Sequence, residues 1–360
     1  MSLVEDTKKR SDQVRLELRG DRLRTGRYSV RLRPRTMLVC VALLVLTACV
    51  VVLSVGTGRV ELSPLEVLRT FAGDGPPGAG FIVLGLRLPR ALVAVLIGFA
   101  SGMAGAVFQS LTRNPLGSPD IIGFGNGASA GALVAIIILN AGTAQTAIGA
   151  LLGGFATAAA VYLLAWRRGV HGYRLVLVGL GVSAVLGSAT GFLYIRADIG
   201  KAAQAASWMF GSLNDRGWNE VLIAAAGLVV CVPVVLVHGR RLTMLEMGDD
   251  TAGALGVPPE RSRLILLCAG TGLTAMAVAA AGPIPFLAMA SPQLARRITR
   301  APGPNVLPSA WTGALLVTTA DLVTQRVTGS ALMPVGVVTG VGGGLFLAWL
   351  LLRERKAQHV

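Results

Sequence analysis

Asp321 stands in the run Thr319-Ala320-Asp321-Leu322, inside the apolar stretch 306–325. A carboxylate so placed is a functional candidate by default, because it persists in hydrocarbon only with a partner or a task. Two chemistries suit it: carrying a proton across, or bonding to backbone or to nearby Arg326. Arg87-Leu88-Pro89-Arg90 precedes another apolar run. Guanidinium forks at the end of a span want carboxylate partners, and anchoring at the interface is their plainer use. In the segment Arg240–Val257, Asp249 and Asp250 can sit at a helix amino terminus, favoured by its dipole, with Gly256 and Pro258 ending that helix. A short helix there serves either as a docking element for a soluble partner or as a solvated connector.

No catalytic set accompanies these residues. The chain has no G-x-x-x-x-G-K-[ST] loop to cradle phosphates, no His-Glu-x-x-His, no Ser/His/Asp set and no paired carboxylates. Cys40, Cys49, Cys231 and Cys268 all fall in apolar runs without C-x-x-C spacing, so they read as small buried residues and no metal site is expected. His171, His238 and His359 lie in basic segments outside the spans.

The elements that must position such residues follow from composition. Of 360 residues 53% are hydrophobic and 14% charged, against about 25% charged in ordinary soluble domains. A spanning helix takes about 20 apolar residues. Apolar runs occur at 37–55, 91–110, 120–140, 144–165, 175–195, 219–237, 264–282, 284–295, 306–325 and 332–351. The expected fold is therefore an all-α polytopic membrane protein of about ten transmembrane helices, and a secreted enzyme or soluble nucleic-acid binder is excluded. The eighth run is short and bounded by Gly282-Pro283-Ile284-Pro285 and Ser291-Pro292, so a half-depth or broken helix is expected.

The net charge of +15 is concentrated at segment ends. Residues 1–36 hold eleven Lys/Arg against five acids, ahead of a first span read as retained. Such a cluster is a cytoplasmic flank under the positive-inside rule and a contact for anionic lipid. With the amino terminus inside, Arg113, Arg167, Arg168, Arg174, Arg240, Arg241, Arg261, Arg263, Arg296, Arg297, Arg300, Arg353, Arg355 and Lys356 fall inside too. Both termini are then cytoplasmic. Dense small residues, Gly98, Gly102 and Gly105 among them, suit close helix packing in lipid. The two halves carry no inverted repeat, which argues against a secondary transporter.

Several phrases resemble the permease family of vitamin B12 and ferric-siderophore ABC importers. They are Arg87-Leu88-Pro89-Arg90, the run Gln109–Asp120 containing Arg113-Asn114-Pro115-Leu116, the loop containing Met247-Gly248-Asp249-Asp250, Ala281–Phe286 and Pro334–Thr339, in the family's order over 37–352. The phrases around Asn114 and Met247 are most similar to the second permease of ferric enterobactin importers. The resemblance implies the type II ABC importer architecture: a basic segment 1–36, a ten-helix permease domain 37–352 with a coupling loop at 240–262, and a tail 353–360. It implies a bacterial cytoplasmic-membrane location, a second homologous permease (a heterodimer in preference to a homodimer), two cytoplasmic ATPases carrying ATP and Mg, and an extracytoplasmic siderophore-binding protein. No cofactor or nucleic acid is expected on this chain.

The resemblance also implies roles. Arg87, Arg90 and Arg326 would dock the binding protein; Asn114, Pro115 and Leu116, with Gly172 and Tyr173 at a second constriction, would form the cytoplasmic gate. Leu245, Glu246, Met247, Gly248, Asp249, Asp250, Ala254, Leu255 and Gly256 would couple to the ATPase. The chain departs from the family at Gln293, where histidine is usual, at Ala331, where an acid is usual, and at Gln325, where a third outer arginine falls beside Arg326. Vitamin B12 or haem import, and proton-coupled transport through Asp321, are the alternatives.

Overall fold

The structure, a computed structural model, describes residues 22–25, 28–31, 33–58, 60–120, 123–166, 172–328 and 333–358. The basic residues as far as Arg19, Arg27, the loop residues Arg167, Arg168 and His171, Ala331, and His359 lie outside the described residues. Residues Arg22–Thr25 and Tyr28–Arg31 pair as a short antiparallel hairpin, with Leu23 opposite Val30. The other described elements are helices.

Helix α1 (Pro34–Gly56) starts on a proline, whose missing N–H falls where no helical partner exists. The connection to the next span contains α2 (Pro64–Phe71), which the sequence reading leaves as a polar stretch. Its start is a capping box: the Ser63 hydroxyl accepts from the Glu66 amide at 3.3 Å, and Glu66 Oε2 accepts from the Ser63 amide at 2.8 Å. Helix α3 (Leu88–Thr112) is entered through a widened i→i+5 turn, Phe81–Arg87. Pro89 cannot donate to a carbonyl one turn back, and the wide turn absorbs that loss. The second span thus runs from Phe81 to Thr112, well ahead of the expected residue 91.

Helices α4 (Phe124–Leu133, extended by a wide turn to Ile138), α5 (Thr143–Ala165) and α6 (Gly172–Arg196) follow. A short helix α7 (Ile199–Met209) crosses the end of α4, with Lys201 Nζ donating to the Ile137 carbonyl at 3.3 Å. Then come α8 (Trp218–Val237), the two short helices α9 (Gly239–Glu246) and α10 (Asp249–Ala254), and α11 (Pro259–Ala281). The last three are α12 (Leu287–Thr299), α13 (Val306–Thr328) and α14 (Val335–Gln358), the last of which continues unbroken past residue 352. Among the described residues seven helices are long and apolar enough to cross a membrane, and Phe124–Ile138 and Val335–Trp349 are shorter apolar ones. With α12 they make the ten elements expected.

Helix α12 is the broken one. Its 13 residues rise about 20 Å, short of the roughly 30 Å hydrocarbon thickness. Phe286 precedes it in the left-handed region (φ 64°), so Pro283-Ile284-Pro285 stays a turn and the helix starts three residues later than the apolar run. Residues Leu287–Gln293 are all buried, which is the shielding such a segment needs. Gly211 (φ 61°) carries the chain between the end of α11 and the start of α14: Ser212 donates to the Ala281 carbonyl at 2.8 Å, and Gly336 to the Gly211 carbonyl at 3.2 Å.

The core is organised on α3. A Cβ at Gly98 would meet the Gly313 carbonyl and Ala314, one at Gly102 the Ser309 carbonyl, and one at Gly105 the Ala288 carbonyl. At Gly98 and Gly102 the backbones of α3 and α13 touch, antiparallel, and at Gly105, about two turns from Gly98, α3 touches α12. Phe99 closes the same face edge-on against Trp311, with centroids 5.2 Å apart. Ala288 is four residues before Pro292, so its carbonyl lacks the usual amide donor. The bare face of α3 at Gly105 covers that oxygen.

Gly105→Ala is expected to destabilise the detergent-solubilised chain by about 1–3 kcal/mol, because the added methyl has no room. Gly191→Ala, which faces open space in α6, should be neutral or stabilising by up to about 1 kcal/mol. Thermal unfolding of the two variants checks this, and equal melting would argue against the close approach.

Candidate functional site

Three groups of side chains carry the chemistry, and α3 touches all of them. At its amino-terminal end, Arg87 closes the wide turn and donates to the Val55 carbonyl at 2.9 Å and the Val60 carbonyl at 2.7 Å. One turn on, Arg90 pairs with Asp321 of α13, Nη2 to Oδ1 at 2.7 Å and Nε to Oδ1 at 3.2 Å. Gln325 Nε2 donates to the other Asp321 oxygen at 2.7 Å and lies 3.0 Å from Ser54 Oγ of α1. The intramembrane acid is 1% exposed and its partner 24%. Asp321 therefore pairs with Arg90, from a distant helix, rather than with Arg326. Arg326 is exposed and lines a cavity of about 520 Å³ with Gly58, Glu61 and Gln325. The three arginines expected to act at this end do gather there, two of them already bonded within the chain.

At the other end of α3, Arg113 turns left-handed (φ 52°) and stops the helix. The Asn114 amide returns to the Gln109 carbonyl at 3.2 Å, and its side-chain oxygen accepts from the Leu116 amide at 2.9 Å. Asparagine makes this local turn readily. The Pro115 carbonyl accepts from Gln293 Nε2 of α12 at 2.8 Å, so the residue replacing the family's histidine holds the turn. Leu116 is half-exposed and lines a cavity of about 540 Å³ with Asp120, Asn126, Met209, Phe286 and Met289. Gly172 lies against the turn, since a Cβ there would be 2.9 Å from Thr112 Cα. Tyr173 is 80% exposed and points away from it.

The coupling segment forms two helices where one is expected, and its nine singled-out residues divide by direction. Met247, Asp250, Ala254, Leu255 and Gly256 are exposed. Leu245 is buried, and Glu246 and Asp249 turn inward. Glu246 Oε1 accepts from Ser110 Oγ of α3 at 2.6 Å. Asp249 pairs at 2.7 Å with Arg263 of α11, which also bonds Glu260 at 3.1 Å. Gly248 (φ 111°) makes the corner between α9 and α10. Burial pushes the Glu246 carboxyl above the usual carboxylate range, while the Ser110 hydroxyl and the Arg296 charge pull it back. Arg296 of α12 donates to Gln109 Oε1, and Gln109 Nε2 donates to the Met289 carbonyl at 3.0 Å.

The sequence reading passes over Ser110, Gln109, Arg263 and Arg296 as functional groups. A faint signal existed in the polar pair Gln109-Ser110 that ends a long apolar run. Among the described residues no group of three or more His, Cys, Asp or Glu could hold a metal ion.

Among the described residues the apolar helices pack by close backbone contact and bonded charges gather near the two ends of α3, the build of a multi-pass membrane protein. The chain belongs to the FecCD transport family, whose model matches residues 44–353. It is 42% identical to the ferric enterobactin transport system permease protein FepG of Escherichia coli (strain K12), over 89% of this chain and 98% of that protein. The achromobactin permease CbrC of Dickeya dadantii is 35% identical (92% and 96% covered), and the hemin permease HmuU of Yersinia pestis 33% (91% and 98%). A solved metal-chelate type ABC transporter in an inward-facing conformation superimposes with a TM-score of 0.77 at 26% identity, covering 88% of this chain and 99% of that one. The fold is that of a type II ABC importer permease.

Removing one member of a buried ion pair strands the other. Asp321→Ala is therefore expected to cost about 3–5 kcal/mol, and Arg90→Met combined with Asp321→Leu to recover most of it. Unfolding in mild detergent checks both, and a double variant no better than the single one would show that the pair is not the stabilising unit.

Proposed function

We propose that this chain is one permease subunit of an ATP-driven importer of ferric siderophores in a bacterial cytoplasmic membrane. The observation that carries the reading is the 42% identity to a ferric enterobactin permease over nearly the whole of both chains, supported by the achromobactin relative. The chain itself performs no covalent chemistry and binds no cofactor; ATP and Mg belong to two partner ATPases on the cytoplasmic side. An extracytoplasmic binding protein delivers the chelate at the end bearing Arg87, Arg90 and Arg326. A second, homologous permease completes the path, and a heterodimer is preferred because the similarity is to one particular permease of its system.

The geometry suits these roles. The exposed set Met247, Asp250 and Leu255 offers an ATPase both apolar and acidic contacts. The turn Asn114-Pro115-Leu116 projects at the mouth of an open, mostly uncharged cavity, whose wall of small and apolar residues suits a bulky chelate. A bare ion would require rings of charge or carbonyls instead. Arg113, Arg240, Arg241, Arg261 and Arg300 cluster at the coupling end, which the positive-inside rule makes cytoplasmic. Both termini then lie inside. Asp321, bonded to Arg90, is a structural charge here and not a proton carrier.

Uptake of a panel of iron-55 chelates by cells lacking this chain, beside labelled vitamin B12 and haem, tests the reading. Loss confined to ferric siderophore, restored by the gene and not by an Asn114→Ala/Leu116→Ala variant, is the expected result. Intact iron uptake with lost haem or B12 uptake would keep the family and overturn the substrate. Reversing Asp250 to lysine should reduce ATPase co-purification about tenfold, the scale of a lost interfacial charge contact.

A further inference from the structure

The coupling segment is tied to the rest of the chain at two points with different destinations. Asp249 is bound to Arg263, 5% exposed, in the long core helix α11. Glu246 is bound to Ser110, two residues before α3 ends. The carbonyls of Gln109 and Ser110 are the acceptors that fold the chain back at the end of α3, taking the amides of Asn114 (3.2 Å) and Arg113 (3.3 Å). Arg296 of α12 bonds the Gln109 side chain, and its charge faces Glu246. One turn earlier in α12, Gln293 holds the Pro115 carbonyl at 2.8 Å. Leu111, Leu242 and Leu245 are buried beside the cluster, and Glu246 and Arg296 are half-buried.

We propose that Glu246 is a positioning residue for the gate: through its bond to Ser110, with Arg296 as charge partner, a displacement of α9 reaches the Asn114-Pro115-Leu116 turn. The proposal rests on the permease reading above and assigns its inner end. Asp249 anchors the loop to the core, while Glu246 carries its movement. A carboxylate suits this task because a hydrogen bond to an ionised acceptor is shorter and roughly twice as strong as a neutral one. It holds while α9 is pulled, where a packing contact would slide.

The test uses the complete transporter, with second permease, ATPases and binding protein, reconstituted in proteoliposomes, reading ATP hydrolysis and iron-55 siderophore uptake together. Ser110→Ala removes one oxygen and leaves the fold intact. It is expected to lower chelate transported per ATP hydrolysed about tenfold, the scale of a lost coupling contact, with hydrolysis little changed, and Glu246→Ala to lower the same ratio. Glu246→Gln keeps an acceptor oxygen without the charge and should recover part of the ratio. A purely structural role would lower both activities together; that result, or an unchanged ratio in Ser110→Ala, overturns the proposal. A wild-type complex that hydrolyses ATP without moving any ferric chelate would overturn the permease reading, and this inference with it.

Discussion

The backbone-to-backbone contact of α3 with α12 and α13 is the constraint on which the rest of the molecule depends. In lipid, apolar side chains gain nothing by leaving their surroundings for one another, so helices associate by close fit. Gly98, Gly102 and Gly105 supply that fit, with Gly313 answering from α13. Because α12 is too short to span and contains Pro292, it cannot exist facing lipid. It is held by α3 on one side and by α13 and α14 on others, and so is carried wherever α3 goes. The coupling loop is also bonded to α3, and Arg87 and Arg90 lie on α3 or on the turn that enters it.

Charge obeys the same economy. Among the described residues the intramembrane acid Asp321 is matched by one arginine, and the remaining donor to it, Gln325, reaches on to Ser54 of α1. The pair thereby fastens three helices with a single buried charge of each sign. Breaking it would strand an ion in a medium that cannot solvate it. An arginine already so engaged can still meet a docking carboxylate, since a guanidinium has five donors in a planar fork and Asp321 takes only one edge.

What was legible in the sequence was local. The apolar runs located the ten elements because hydrocarbon imposes a length on each, although the second span begins ten residues before its run. The prolines around 283–292 announced a broken helix. The Asn114-Pro115-Leu116 turn was legible through the family resemblance, and asparagine's bond to the backbone two residues on is what makes it. The errors have the same character. The apolar run puts the start of the second span at residue 91, yet a wide turn carries the helix back to Phe81. The Ser63-Pro64-Leu65-Glu66 cap was visible and unread. What no spacing could reveal was pairing across the chain. Arg90 and Asp321 are 231 residues apart and Ser110 and Glu246 are 136 apart, and their neighbours in sequence say nothing of the partner. Asp321 was singled out correctly as exceptional, but its choice of Arg90 over Arg326 depends on α3 and α13 running antiparallel in contact.

That antiparallel contact also explains why one chain can answer to partners on opposite sides of a membrane. Its polar bonds lie at the ends of α3, and between them Gly98 and Gly102 meet α13, and Gly105 meets α12, by backbone contact. Sliding or tilting along such a face breaks no directional bond, whereas the ends must exchange one definite set of partners for another. Well-packed interfaces move between discrete arrangements rather than deforming continuously. A helix closely packed in its middle and bonded at both ends therefore links the two ends mechanically: a change at the arginine end is felt at the Asn114 turn because the rod between them is stiff.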